Sequence, residues 1–418
     1  MSKIGSGYTR TKFGCYYTYL AMSSVFSLPP LLFVTFMDMY GIPYTLLGTL
    51  VLVNFFTQLS VDLIFTFFTK YFNVHKTIKL MPLLTTVGLA IYAAVPMLFP
   101  EYAYAGLLCG TVIFSVAAGL SEVLLSPLIA SIPSDNPDRE MSMLHSLYAY
   151  GVLAVVLIST AFLKVFGGEN WMYLTFFFAA LPIGSAILFS TSKLPKVNIS
   201  NSKGSATSGR KTVLTFCVFC IFFGSAAENT MTNWMSGYME NALGISKAVG
   251  DIFGMAAFAV LLGICRTLHA KYGGNISNIL LIGMTGAIAC YIVAGLSTNV
   301  YISAFACIFT GVCTSMLWPG TLILMEEKLP AAGVTAYALM ASGGDLGGAI
   351  APQLLGIVVD TVKDSTLAAG LSEKLSMTTE QIGMRAGMIF ATVFPIIGVA
   401  LLLYGKKIFK NKYTFMED

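Results

Sequence analysis

Apolar residues run along this chain in long stretches that shorter polar segments separate. A helix needs about 20 predominantly apolar residues to cross the hydrocarbon core of a bilayer. Stretches of that length predict twelve membrane-spanning helices, at residues 14–37, 44–68, 79–98, 104–131, 142–163, 171–192, 212–238, 247–268, 275–296, 300–324, 333–358 and 386–405.

The predicted helices divide into two sets of six. We expect an N-terminal six-helix bundle at 1–192, a flexible linker at 193–211, and a C-terminal six-helix bundle at 212–418. The linker is rich in Ser, Gly and Lys, as flexible connections are. The segment 359–385 is the other long connection. We interpret it as a spacer in preference to a short amphipathic surface helix.

Composition agrees with a membrane protein. The 418 residues are 56% hydrophobic and 11% charged, and the mean hydropathy is +0.78. Soluble domains carry about 25% charged residues. Cys217 and Cys220 form a C-x-x-C pattern, but their apolar neighbours favour simple packing of the two thiols. We therefore predict an all-α membrane protein.

Lys and Arg residues fix the predicted orientation, because positive charge stays on the cytoplasmic side. With the N-terminus inside, 19 of the 24 Lys and Arg residues fall in inside segments and 5 in outside segments. This predicts a multi-pass protein of the cytoplasmic (inner) membrane with both termini cytoplasmic. The net charge of +4 gives no reason to expect a nucleic-acid partner.

Four acidic residues lie inside predicted spans, namely Asp62, Glu122, Glu228 and Asp345. An ionisable group at the bilayer centre costs about 2.5–3.5 kcal/mol or more, so such groups normally face a cavity or a partner and mark function. Glu122, in GLSEVLLSP, is the first choice for a cavity carboxyl that binds and releases a proton. The alternative for Glu122 is an ion pair with a neighbouring helix.

Glu228 begins the polar segment ENTMTNW of the seventh span. Asn229 and Asn233 are four residues apart and share a helix face. Together with Trp234 they suit a polyhydroxylated solute, since amides bond hydroxyl groups and an aromatic face covers C–H groups. The alternative is a polar seam that holds helices together.

Asn54, Gln58 and Asp62 repeat every four residues along the second span and form one polar stripe. Asn54 and Gln58 are candidates for solute contact. Asp62 lies toward the cytoplasmic end, where a gate or charge relay is the better interpretation.

Asp345 lies in the glycine-rich sequence SGGDLGG, which favours close helix approach and local bending. Its carboxylate is either a proton-coupling site or the partner of a cation such as Arg266. Tyr148 and Trp318 are further candidates for solute contact. His145, near the cytoplasmic surface, is interpreted as a hydrogen-bonding residue.

The two six-helix halves with a cytoplasmic linker resemble the major facilitator superfamily. Within it, the chain resembles the fucose-permease-like branch of sugar:proton symporters, in a bacterial subgroup. The segments that carry the resemblance are GLSEVLLSPLIASIP, GSAAENTMTNWMSGYME and SGGDLGGAIAPQLLG. The resemblance implies the major facilitator fold and makes Glu122 the proton-coupling acid of the fourth helix.

Two features depart from that family pattern. The first span lacks a buried acid, since Asp38 lies only at its outer end. The loop FTKYFNVHKTIKL keeps Lys70 and Lys76 of the gating motif but not its acid or glycine. Lys70, Lys76, Asp62 and Arg266 are therefore the candidates for gating or charge relay.

We expect a secondary transporter that imports a small polar solute, such as a sugar, with protons, and that works as a monomer. An efflux antiporter for amphipathic or cationic compounds is the second interpretation, and a sensor or channel the third. The chain shows no Walker glycine loop, no nucleophile–base set and no metal-ligand spacing, so we expect no enzyme activity, cofactor or metal.

Overall fold

The computed structural model describes residues 6–68, 71–134, 137–195, 208–329 and 334–413, without some side chains inside these ranges. These residues form helices and connecting turns, with no strand among them. Within the described ranges, eleven helices are long and apolar enough to cross a membrane, and a helix pair bent by 47° near the N-terminus raises the number to 12 if it is one span. The predicted all-α membrane fold is confirmed.

The chain divides into two compact units. Unit 1 comprises residues 1–43 and 53–200, and unit 2 comprises residues 44–52 and 201–418. The boundary at 200/201 lies inside the segment 193–211 that we predicted as a linker. Each unit has its own helices and core.

Unit 1 is built from helices of the first half of the chain, and α3 also supplies nine residues to unit 2. The helices are α1 (Thr9–Leu31), α2 (Phe33–Tyr40), α3 (Tyr44–Phe68), α4 (Val74–Leu98), α5 (Ala103–Ala130), α6 (Pro137–Phe166) and α7 (Trp171–Ser190).

The first predicted span is bent where α1 meets α2. Pro29 and Pro30 lie in the last turn of α1, and the chain then turns by 47° at Leu32. Proline lacks the N–H that would continue the helical ladder, and this explains the bend. The predicted span 14–37 is therefore two helical segments.

Aromatic rings form part of the core of unit 1. Phe36 lies 4.9 Å from Trp171 and 6.0 Å from Tyr92, measured between ring centroids. Tyr92 also packs 5.7 Å from Phe114. These contacts join α2, α4, α5 and α7, and the two edge-to-face pairs of Phe36 add about 0.5–1.5 kcal/mol each.

Unit 2 contains ten helices among its described residues. They are α8 (Ser208–Gly237), α9 (Lys247–Gly250), α10 (Ala257–Tyr272), α11 (Ile276–Leu296), α12 (Val300–Thr314), α13 (Leu317–Lys328), α14 (Val334–Lys363), α15 (Thr366–Leu375), α16 (Thr379–Ala391) and α17 (Val393–Tyr413). Two π-helical turns, Tyr238–Ala242 and Asp251–Ala256, follow α8 and precede α10.

The glycine-rich segment of α14 packs tightly against α8. A Cβ atom on Gly347 would lie 2.1 Å from the carbonyl oxygen of Phe222, and one on Gly343 would lie 2.8 Å from Val218. Close helix approach at SGGDLGG is therefore confirmed. The helix runs through this segment without a break, from Val334 to Lys363.

The interpretation of 359–385 as a spacer is wrong, because helix α15 occupies its centre and α16 begins at Thr379. Ser365 caps α15 by accepting from the N–H of Ala368, at 3.1 Å. Thr378 and Gln381 form a capping box at the start of α16. These cap residues provide the hydrogen bonds that a helix start needs.

Polar contacts fasten the first turn of α3 to the other helices of unit 2. The Tyr44 hydroxyl donates to Glu380 at 2.5 Å and accepts from Asn241 at 2.7 Å. The backbone N–H and the hydroxyl of Thr45 each donate to Asp360 at 2.6 Å. These bonds explain why residues 44–52 group with unit 2.

Glu140 is the centre of a polar cluster in unit 1. Lys12 forms an ion pair with its carboxylate, and the Tyr16 hydroxyl donates to it. Burial alone raises the pKa of Glu140, but the hydrogen bonds from Lys12 and Tyr16 outweigh it and hold that pKa below its ordinary value. The cluster borders a pocket of about 390 Å³ and ties α6 to α1.

Replacing Tyr44 by Phe should lower the melting temperature of the purified protein. The change removes two hydrogen bonds and leaves Glu380 and Asn241 without the hydroxyl, at a cost of about 1–3 kcal/mol. Differential scanning fluorimetry in detergent measures it. Tyr301→Phe is the matched control, because Tyr301 is 84% exposed. Equal melting temperatures for Tyr44→Phe and wild type would contradict the assignment.

Glu140→Gln should lower the melting temperature at pH 7 and have a much smaller effect in acid. A carboxylate whose pKa is lowered by folding adds stability above its ordinary pKa of about 4.3. That stability is lost as the pH falls through the lowered value. Melting curves of both proteins between pH 7 and pH 3 test this, and a constant difference would show that the ion pair adds no stability.

Candidate functional site

The predicted polar stripe of the second span is a buried hydrogen-bonded chain within unit 1. Gln58 donates to Asn54 Oδ1 at 2.9 Å, and Ser115 on α5 donates to the same oxygen at 2.7 Å. Asn54 is 7% exposed and Gln58 is fully buried. In this structure Asn54 connects α3 to α5 through Ser115, and Gln58 bonds to Asn54 within α3. These contacts differ from the solute contact that we predicted.

Asp62 and Glu122 lie close together in unit 1. A carboxylate oxygen of each lies within 4.8 Å of the other, and Asp62 is 1% exposed. Two negative charges at this separation in a low-dielectric interior repel strongly. A proton held by the pair relieves that repulsion.

Gly119 allows the close approach that brings the two acids together. A Cβ atom at position 119 would lie 3.1 Å from Val61 and 3.2 Å from the backbone of Gln58. Glu122 follows three residues later on the same face of α5, and Asp62 follows Gln58 by four residues on α3. The glycine therefore helps to set the distance between the two carboxylates.

An aromatic group adjoins the polar stripe in unit 1. Phe26 packs edge-on to Tyr148, with centroids 5.7 Å apart, and lies 6.1 Å from Phe55. Tyr148 is half-buried. The predicted solute contact at Tyr148 thus belongs to a cluster of three rings.

Glu228 forms an ion pair with Arg266 in unit 2. Arg266 Nη2 lies 3.2 Å from Glu228 Oε1, and the side chains are 30% and 18% exposed. The alternative in which Arg266 pairs with Asp345 is therefore wrong, since Arg266 turns toward α8. The contact brings a predicted proton-coupling residue together with a predicted gating residue.

The tenth predicted span is broken at Ser315 and Met316, between α12 and α13. A broken helix leaves carbonyl groups without an intrahelical partner. Arg266 Nε donates to the Ser315 carbonyl at 2.8 Å. Arg266 therefore connects α8, α10 and the break.

Trp318 lies just after this break and packs on α14. A Cβ atom on Gly344 would lie 2.3 Å from the Trp318 ring, so only glycine fits there without a shift. Asp345, the next residue, is 2% exposed. The structure thus brings the tenth and eleventh spans together beside Asp345.

The polar residues that follow Glu228 bond mainly within α8. Asn229 donates to the Ser225 carbonyl at 3.1 Å, and Asn233 donates to the Asn229 carbonyl at 2.8 Å. Trp234 is 1% exposed, and its indole N–H donates to the Pro352 carbonyl at 3.0 Å. In this structure the indole is therefore buried and bonded to α14, whereas the predicted solute contact needs an open aromatic face.

Three further residues named in the sequence analysis are not part of these polar and aromatic clusters, or are not described by the structure. Lys76 is exposed at the start of α4, where its N–H bonds to Asn73 at 3.1 Å. Lys70 lies outside the described residues, and the side chain of His145 is also not described.

Two residues that form buried polar contacts, Ser115 and Asp251, were not predicted from the sequence. Ser115 precedes Gly119 by four residues and Glu122 by seven, and this helical spacing could have revealed it. Asp251, in a π-helical turn, is 1% exposed and accepts from Ser236 at 2.5 Å and pairs with Lys247 at 3.7 Å. Because Asp251 lies near the start of the predicted span 247–268, we did not count it among the interior acids.

Solved structures with similar folds are membrane transporters. A bacterial homologue of the human lysosomal transporter Spinster, in an inward-facing and occupied conformation, has a TM-score of 0.75 and 13% identity, covering 97% of this chain and 98% of that chain. A D-xylose-proton symporter has a TM-score of 0.74 and 13% identity, covering 92% and 96%. A variant of the E. coli fucose:proton symporter has a TM-score of 0.58 and 13% identity, covering 94% and 99%.

Comparison of the sequence with family models identifies the family, whereas comparison with curated proteins does not. No curated protein matches the chain. The family model described as Major Facilitator Superfamily matches residues 16–352, which confirms the resemblance at the level of the superfamily.

Ser115→Ala should destabilise the protein by about 1 kcal/mol, because it removes the bond between α5 and Asn54. Thermal unfolding of the purified protein measures the change. Ser60→Ala is the control, since Ser60 bonds to its own helix at Phe56. If the two variants melt at the same temperature, the interhelical bond contributes nothing.

Proposed function

Because the chain belongs to the Major Facilitator Superfamily, we propose that it moves a small polar solute, a sugar, across the cytoplasmic membrane together with protons, by alternating access. It works as a monomer with both termini in the cytoplasm. Two of the proteins with a similar fold, a D-xylose-proton symporter and a fucose:proton symporter, support sugar and proton as the pair.

The observation that carries the proposal is the proximity of Asp62 and Glu122. Their carboxylate oxygens lie within 4.8 Å of each other inside a membrane-spanning unit. One proton held by the pair removes the repulsion between two interior charges. Such a pair can take up a proton on one side of the membrane and release it on the other.

Glu122 is the proton carrier in this proposal, and Asp62 is the neighbour that influences its charge. Protonation lowers the cost of enclosing the acid with the solute. Deprotonation restores the repulsion and favours reopening. Glu228 and Asp345 are the secondary candidates for proton coupling.

In this proposal, the solute contacts side chains whose amide oxygens or aromatic rings are not used in the bonds described above. The amide oxygens of Asn229 and Asn233 can accept from hydroxyl groups, because the bonds of these residues to α8 use their amide nitrogens. Tyr148 and Trp318 supply rings that can cover the C–H face of a sugar. Within unit 1, Asn54 and Gln58 belong to the buried hydrogen-bonded chain with Ser115.

A second candidate is a proton-driven efflux antiporter for amphipathic or cationic compounds. The cluster of Phe26, Phe55 and Tyr148 favours it, because aromatic rings bind flat apolar groups and cations. Drug resistance of cells that express the protein, without solute uptake, would select this function.

Glu122→Gln should abolish uphill solute uptake into proteoliposomes driven by an inward proton gradient, while solute counterflow continues. The amide resembles a protonated carboxyl but cannot release a proton. Radiolabelled uptake and counterflow with a panel of sugars measure the two activities.

Glu101→Gln is the matched control, since Glu101 is exposed in the turn before α5. That variant should accumulate solute as wild type does. Uphill uptake by Glu122→Gln at the wild-type level would show that Glu122 is not the proton carrier.

A further inference from the structure

Arg266 is a cation that two protein groups hold in a fixed orientation. Its Nε donates to the Ser315 carbonyl at 2.8 Å, and its Nη2 donates to Glu228 Oε1 at 3.2 Å. These acceptors belong to two different parts of unit 2, the helix break and α8. The guanidinium plane is therefore restrained at two of its nitrogens.

The guanidinium retains donors beyond those two contacts. It carries five N–H groups in one plane. Nε donates to Ser315, and Nη2 donates to both carboxylate oxygens of Glu228, at 3.2 Å and 3.5 Å. The two N–H groups on Nη1 have no hydrogen-bond acceptor among the described residues. The side chain is 30% exposed.

A charged side chain inside a membrane-spanning bundle faces water or a partner, because exposure to acyl chains costs several kcal/mol. Arg266 lies near the end of the span Lys247–His269, so the exposed part of its side chain can face water. The remaining N–H groups, on Nη1, suit an anionic oxygen group, because a hydrogen bond from a charged donor to an anion is strong.

We propose that Arg266 recognises an anionic oxygen group, a carboxylate or a phosphate, on the transported solute. This inference rests on the proposed function and narrows its substrate from a sugar to an acidic derivative of a small polyhydroxylated compound. The amide oxygens of Asn229 and Asn233 then serve the hydroxyl groups, and Arg266 serves the anion.

Glu228 has a defined part in this recognition. Its carboxylate oxygens Oε1 and Oε2 accept from Nη2 of the same guanidinium, at 3.2 Å and 3.5 Å. An incoming anion meets both competition for that group and repulsion from Glu228. Removing the charge of Glu228 should therefore strengthen binding of the anion. A purely structural ion pair predicts no such gain.

Two matched sets of probes test the proposal on the purified full-length protein. The first set is D-glucose, D-glucuronate and D-glucose 6-phosphate, and the second is glycerol, D-glycerate and glycerol 3-phosphate. Within each set, only the charged group changes substantially. Isothermal titration calorimetry and thermal shift give the affinities.

We expect at least one anionic probe to bind about tenfold or more tightly than its neutral counterpart, as hydrogen bonds to a charged donor imply. Preference for the carboxylates or for the phosphates identifies the group. Arg266→Gln should remove the preference, Arg266→Lys should retain part of it, and Glu228→Gln should tighten binding of the anion.

Arg385→Gln is the matched control for loss of a buried arginine. Arg385 is 8% exposed and donates to the Ser297 carbonyl, elsewhere in unit 2. This variant should keep the preference for the anion. The melting temperature and elution volume of each variant without ligand show whether it is folded.

Three results would overturn the inference. They are equal binding of neutral and anionic probes, no binding by any anionic probe, or an unchanged preference in folded Arg266→Gln. Proton-driven uptake of a neutral sugar that needs Glu122 but not Arg266 would overturn this inference and leave the proposed function standing. Absence of any proton-driven uptake would instead contradict the proposed function.

Discussion

Polar side chains inside the spans of this protein lie in the low dielectric of a bilayer. Hydrocarbon offers no hydrogen bonds, so each polar group inside a span needs a protein partner or water. In unit 1, Asn54 accepts from both Gln58 and Ser115. In unit 2, Glu228 and the Ser315 carbonyl share Arg266. The interior polar residues thus form small hydrogen-bonded groups. In the proposed transport cycle, protons and solute change the bonds within these groups.

Helix irregularities supply part of these groups. The break at Ser315 exposes a carbonyl that Arg266 binds, and a π-helical turn carries Asp251 to Ser236. π-helical turns often occur at functional sites. A regular helix would satisfy the Ser315 carbonyl itself and leave it unavailable to Arg266. The irregular segments of unit 2 therefore serve to position ionisable side chains within the bundle.

The membrane helices could be predicted from the sequence because hydropathy is a local property that each span carries alone. The bend at Leu32 and helix α15 were missed, although Pro29–Pro30 and the caps at Ser365 and Thr378 mark them. The partner of Arg266 could not be predicted, because it depends on the rotation of α10 against α8 and on the break at Ser315. Likewise, burial of Trp234 against Tyr44, with ring centroids 5.6 Å apart, needs a contact between residues that are far apart in the sequence.

The central claim is that Glu122, next to Asp62, takes up and releases a proton. Infrared difference spectroscopy of the reconstituted protein observes this directly, since a protonated carboxyl has a C=O stretching band that a carboxylate lacks. The account predicts a band that appears as the pH falls in wild type and in Glu228→Gln, and that is lost in Glu122→Gln. A band of unchanged intensity and pH dependence in Glu122→Gln would contradict it.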